Sequence, residues 1–225
     1  MHGPILRVRP HLGASRSPAP ALRRSTIRPM PAPSATTRLL PASLAWLLAL
    51  WFACGAAVAI AAISAFPSLA GRGVIVPGFE MLADHDPAAS GRLAAGFVMD
   101  RVFAATDLAQ WFLAPVGTAV AGLCWWRLAG ARGRGLAAVV AILAATALGL
   151  TLVHNLSIGP SMLDSLAEYR RLLSNGDLAS ALAVRDGFDA THVLADRLYG
   201  VRMLAVGLAL PLSLLLPGTP AGRGS

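Results

Sequence analysis

The sequence predicts an all-α integral membrane protein: a four-helix bundle with short amphipathic helices on its outer face and a disordered N-terminal tail. Three observations carry this. Only 13% of the 225 residues are charged and 56% are hydrophobic, against about 25% charged in a soluble domain. Mean hydropathy is +0.62. The charges are gathered into separate stretches, leaving apolar runs at about 43–66, 108–126, 135–153 and 198–217. Together these exclude an ordinary soluble enzyme.

Residues 1–42 hold eight of the sixteen prolines, seven arginines from Arg7 to Arg38, and no acidic residue. With no apolar periodicity, such a segment cannot offset its ordering entropy by burial. The tail accounts for most of the net charge of +8, so the basic balance is no sign of nucleic-acid binding. The basic residues are all arginine, a pattern that GC-rich coding produces. The Arg23-Arg24 pair lies too far from the first apolar run for a twin-arginine signal, and Met30 offers a second candidate start. Cys54 and Cys124 fall in apolar runs, where a free thiol behaves as a small hydrophobe.

The first run, Ser43 to Phe66, is long enough to cross a hydrocarbon core of about 30 Å at about 1.5 Å per residue, and Phe66-Pro67 is expected to end it. A helix then begins near Ala89 and enters the membrane at Leu108, with Pro115 a predicted kink. After a basic turn containing Arg127, Arg132 and Arg134, the third run places Ala137, Ala141, Ala145 and Gly149 at every fourth position. That spacing suits close helix packing; high alanine content produces it equally well.

Beyond His154-Asn155, Ser161 and Asp164 suggest a capping box. Met162, Leu166, Tyr169 and Leu173 fall on one helical face, which Asn175-Gly176 terminates. Asp177 is expected to cap a short helix to about Arg185, and Asp189 or Thr191 to open the last helix. That helix is uncharged only from Met203 to Pro217, so Arg202 is expected to snorkel to the interface. Residues 218–225 form a C-terminal tail.

Threading follows from arginine. The tail, the second connection and the C-terminus carry arginine without acids, whereas the first and third connections mix both signs. Four spans then place both termini in the cytoplasm, in the cell (inner) membrane.

No phosphate-binding loop, nucleophile elbow, paired zinc-ligand cysteines or zinc-protease helix is present; Gly71-Arg72-Gly73 lacks the third glycine of a dinucleotide fingerprint. The candidate polar residues form an outer-face cluster. Asp100 and Asp107 share a helix face, His154 caps the third run, and His192 can meet Asp196 four residues on, with Arg197 beside them. Such groups are ordinary on helix ends outside a bilayer; alternatively they bind a metal, haem or proton.

Pro160, Arg185-Asp186-Gly187-Phe188-Asp189-Ala190-Thr191-His192 and Ala195-Asp196-Arg197-Leu198-Tyr199-Gly200 resemble the transmembrane protein 205-like family. The loop at Phe66-Pro67 and the segment Gly91 to Phe103 are similar to the same family. The resemblance covers about residues 43–217 and implies four membrane helices without an established reaction. That family looks distantly similar to copper-resistance D-type membrane proteins and to haem-binding protoporphyrinogen oxidases of the membrane. No His-rich or Met-rich copper tract is present. The expectation is therefore a multi-pass, non-enzymatic membrane protein with no cofactor, partnered by the lipid bilayer and by a second copy or another membrane protein. Two alternatives stand beside it: a haem- or copper-binding redox protein using His154 and His192, and a small oligomeric transporter.

Overall fold

The computed structural model describes residues 35–128 and 131–216. Both the predicted tail up to residue 34 and the predicted C-terminal tail lie outside the described residues. Among these residues the chain is all-helical, with no strand. Its helices are α1 (Ala35–Gly71), α2 (Glu80–His85), α3 (Pro87–Arg127), α4 (Ala131–Val153), a π-helical turn (His154–Ile158), α5 (Gly159–Ser174) and α6 (Leu178–Leu214). Three stretches are long and apolar enough to cross a membrane: Leu39–Gly71, Pro87–Arg127 and Gly133–Ser174.

Two hydrophobic cores organise the fold. The larger joins Leu48 and Trp51 of α1, Ala114 and Ala121 of α3, Ala137, Val140 and Ala144 of α4, and Val206 and Ala209 of α6. The smaller joins Leu82 of α2, Ala89 and Leu93 of α3, Tyr169 and Leu173 of α5, and Ala181 of α6. The α1–α3 and α4–α6 connections therefore meet at one end of the molecule, hereafter the connection end. The predicted apolar face of α5 is its packing face here, with Tyr169 and Leu173 buried and Leu166 packed against them.

Several boundaries differ from the sequence expectation, each for a physical reason. The predicted tail overlaps α1 over residues 35–42, and α1 continues through Pro67 to Gly71. Its last turn is held by packing: a Cβ on Gly91 would lie 2.2 Å from the Leu69 carbonyl oxygen, so α1 and α3 touch backbone to backbone there. The following loop is tied down by the Ser90 hydroxyl, which donates to the Val74 carbonyl at 2.8 Å. Gly73 and Gly78 supply its positive φ angles, conformations that glycine adopts without steric cost.

Nor does the third helical stretch stop at His154-Asn155. It passes through the π turn into α5, with Gly159 N–H donating to the His154 carbonyl. Pro160 has no N–H to continue the α ladder, and a wider turn accommodates that loss. The capping box at Ser161 is absent, because Ser161 lies inside α5, where its carbonyl accepts from Ser165. Asp177 caps α6 as expected, accepting from Ser180 N–H at 3.1 Å. That helix is not short. It runs unbroken to Leu214, with Asp189 and Thr191 in its interior rather than at a start. Asp86 caps α3 through Ala89 N–H at 2.9 Å. The Ala89 N–H holds the Asp86 carboxyl below its usual range, and the Ser180 hydroxyl, with its N–H, does the same for Asp177.

The small-residue stripe on α4 is also displaced from the expected face. Ala137 is buried, but Ala145 and Gly149 are exposed, and the packed face is Ala137, Val140, Ala144 and Ala147. Residues three and four apart share a face, and the bulkier Val140 belongs to it.

The Gly91 contact generates a direct test. Gly91→Val should destabilise the detergent-purified protein by at least the ~1–3 kcal/mol of an overpacked core. Gly96→Ala, whose nearest neighbour would be the tip of Arg170 at 3.7 Å, should be neutral or slightly stabilising. Thermal unfolding of both variants checks the contrast.

Candidate functional site

Towards the connection end of the larger core, four helices each contribute polar groups. From α1 come Trp51, buried with its Nε1 unpartnered, and the Gly55 carbonyl, which accepts from the Tyr199 hydroxyl of α6. From α3 come Asp107 and Gln110, the latter buried with its Oε1 unpartnered. Thr151 is buried on α4 and donates to the Ala147 carbonyl at 2.9 Å; His154 follows at the start of the π turn. Tyr199 and Arg202 come from α6. Asp107/Gln110, Thr151/His154 and Tyr199/Arg202 each repeat the i, i+3 spacing that keeps two side chains on one helix face.

Arg202 is the centre of this group. It does not snorkel to the interface as expected: it is 3% exposed. The guanidinium stacks over the Tyr199 ring at 4.7 Å, and its Nε is buried without a hydrogen-bond partner. Among the described residues no carboxylate lies within 4.0 Å of it. Arg202 and Asp107 nonetheless act electrostatically on each other and on His154. Leu150, His154, Leu198, Tyr199 and Arg202 line a crevice too narrow for a water molecule. A charge kept there is costly unless opposite charge lies near, and Asp107 supplies it.

The π turn belongs to the same neighbourhood. Both amide atoms of Asn155 are buried and unpartnered. Single π turns inside α-helices are frequent at functional sites.

The remaining predicted cluster members separate from this group. Asp100 pairs with Arg170 of α5 at 2.9 Å, and Arg170 also stacks on Phe97 at 4.1 Å; this pair latches α5 to α3. His192 meets Asp196 at 3.7 Å on an exposed face and stacks on Phe188. Arg197 is exposed. Thus the six residues expected to form one cluster divide into a half-buried part beside Arg202, Asp107 and His154, and a more solvated part. His192 lies ten residues from Arg202, about 15 Å along α6. Among the described residues no three His, Cys, Asp or Glu side chains are grouped to hold a metal ion.

Sequence reasoning missed Tyr199, Gln110 and Asn155 and misplaced Arg202. The available signal was the i, i+3 polar pairing repeated in three apolar helices.

If Asp107 neutralises Arg202, their contributions to stability are coupled. Asp107→Asn and Arg202→Met should each lower the unfolding temperature, and the double variant should lose less than the sum. A coupling of about 0.5–3 kcal/mol is expected for groups in one network. Strict additivity in a thermal-shift cycle would show the two charges to be independent.

In comparisons with family models, curated proteins and solved structures, nothing matches the chain.

Proposed function

We propose that the protein is a four-span integral membrane protein of the transmembrane protein 205-like type, acting through helix and protein contacts rather than by catalysis. The fourth span is the C-terminal half of α6, and both termini are cytoplasmic at the cell's inner membrane. The carrying observation is the smaller core, which joins residues from α2, α3, α5 and α6. It brings the first and third connections to one end, as the two crossings of α3 and α4 between them require, and the packing of Val206 and Ala209 of α6 in the larger core supports a fourth. That end holds the acidic residues, from Glu80 to Asp107 and from Asp164 to Asp196, while Arg127, Arg132 and Arg134 sit at the α3–α4 connection. The positive-inside bias then supports cytoplasmic placement of the arginine-rich end. The Arg202 charge is the one element of the fourth span that opposes insertion, and the neighbouring Asp107 offsets it.

One observation favours a second reading as a small transporter. Ionisable residues inside a membrane bundle commonly line proton or ion paths, and Arg202 is buried among four helices. A proton flux into reconstituted vesicles that Asp107→Asn abolishes would move the assignment to this reading. No observation of comparable weight favours the haem- or copper-dependent alternative.

Topology is the test of the main reading. In a background with Cys54 and Cys124 replaced by Ala, a cysteine at exposed Ser180 should react with an impermeant thiol reagent in intact cells. One at Gly222 should react only after lysis. Ala83, in the first connection, is unsuitable because it is buried. Outside labelling at Gly222 with silence at Ser180 would invert the topology, and outside labelling at both would remove the fourth span.

A further inference from the structure

A groove of about 570 Å³ runs along the outside of the bundle between α1 and α6, with Phe52 and Ala59 on one wall and Gly200, Met203, Leu204 and Leu208 on the other. Its lining is almost wholly apolar. From Tyr199 to Leu208 it extends nine residues, about 14 Å along the helix, or about half of a 30 Å hydrocarbon core. In the four-span reading, on which this inference rests, that is the depth of one leaflet.

The walls differ in what keeps them open. A Cβ on Gly207 would lie 3.1 Å from the Phe52 ring, and one on Gly55 would lie 2.3 Å from the Met203 sulfur. The protein's own packing accounts for those glycines. A Cβ on Gly200 would meet nothing within 4 Å. Glycine inside a helix costs about 0.5–1 kcal/mol relative to alanine, and here no internal contact repays it.

Charge marks the mouth of the groove. Arg197 precedes Gly200 by three residues, Leu204 by seven and Leu208 by eleven. Asp196 precedes Met203 by seven and Gly207 by eleven. At 3.6 residues per turn both therefore lie above the groove on its own face of α6. Both are exposed. Arg197 forms no ion pair among the described residues, while Asp196 has only the 3.7 Å contact with His192. An adjoining cation and anion at headgroup level, above an apolar channel one leaflet deep, complement a zwitterionic phospholipid. The arginine suits its phosphate, and the aspartate suits an ammonium that still carries N–H donors.

The geometry points to a binding site for a single aminophospholipid at the connection end, with an acyl chain in the α1–α6 groove, its phosphate on Arg197 and its ammonium on Asp196. A second copy of the chain would fill the same groove without using the charge pair.

The test uses the full chain in nanodiscs containing equal amounts of phosphatidylethanolamine, phosphatidylcholine and phosphatidylglycerol, with retained lipid counted by native mass spectrometry. The expected result is one phosphatidylethanolamine per chain, preferred over either competitor. Arg197→Gln should reduce its retention about tenfold, the effect of losing one charged hydrogen bond. Asp196→Asn should shift preference towards phosphatidylglycerol, and Gly200→Leu should abolish retention while leaving thermal unfolding unchanged. Retention of all three lipids alike, retention undiminished in Gly200→Leu, or a dimer that Gly200→Leu dissociates would overturn the site. Cysteine labelling at Ser180 and Gly222 on the same preparations separates this failure from failure of the four-span reading.

Discussion

Helices in this protein touch one another through residues with almost no side chain, and the rest of the structure depends on that closeness. In lipid, burial of apolar surface does not drive helix association, so van der Waals contact between nearby backbones must do so. The larger core accordingly contains seven alanines, from Ala114 to Ala209. At Gly91 the contact is between backbones, and at Gly55 the helix surface admits both the Met203 sulfur and the Tyr199 hydroxyl. Interhelical hydrogen bonds reinforce this packing: the Thr118 hydroxyl of α3 donates to the Ala144 carbonyl of α4 at 3.1 Å. Larger bulk is confined to a few anchors, among them the fully buried Trp51, Leu44 and Leu48 of α1.

Close packing explains why a buried arginine is tolerated. A guanidinium in a loose bundle would be hydrated; here its crevice is too narrow for water. Compensation must come from fixed groups: the face of the Tyr199 ring and the charge of Asp107 on a neighbouring helix. A cation over an aromatic face gains most when desolvated. Tyr199 is itself anchored to Gly55, so α1, α3 and α6 are joined by one chain of interactions. A single polar side chain thereby acts across three helices whose other contacts are mostly non-directional.

Local and long-range information separate clearly in what the sequence made legible. The all-helical class was readable because charge-free runs separated by charged stretches are a property of composition alone. The packing face of α5 was readable because Tyr169 and Leu173 obey a short-range period. By contrast, three helix limits were set by partners distant in sequence or by backbone chemistry. The end of α1 depends on Gly91, the π turn on the missing N–H of Pro160, and the continuity of α6 on packing along α1, α4 and α5. The candidate site failed for the same reason. Asp107, His154 and Arg202 are distant in sequence, and only the tertiary fold determines that the half-buried Asp107 and His154 gather around the buried Arg202 while His192 and Asp196 share a surface.

The division of polar residues between interior and surface follows from helical phase on α6 itself. Arg202 lies four residues from Val206 and seven from Ala209, both fully buried in the larger core, so its side chain belongs to the interior face. Arg197 is five residues earlier, about 140° away around the helix, and therefore faces out above Gly200 and Leu204. Tyr199 lies between these directions and borders both the inner crevice and the outer groove. A change in either environment that moved this ring would disturb its stacking with Arg202 or its bond to Gly55. The buried charge and the outer apolar groove are thus separated by one aromatic ring, and the physical link between them is that ring rather than any continuous polar path.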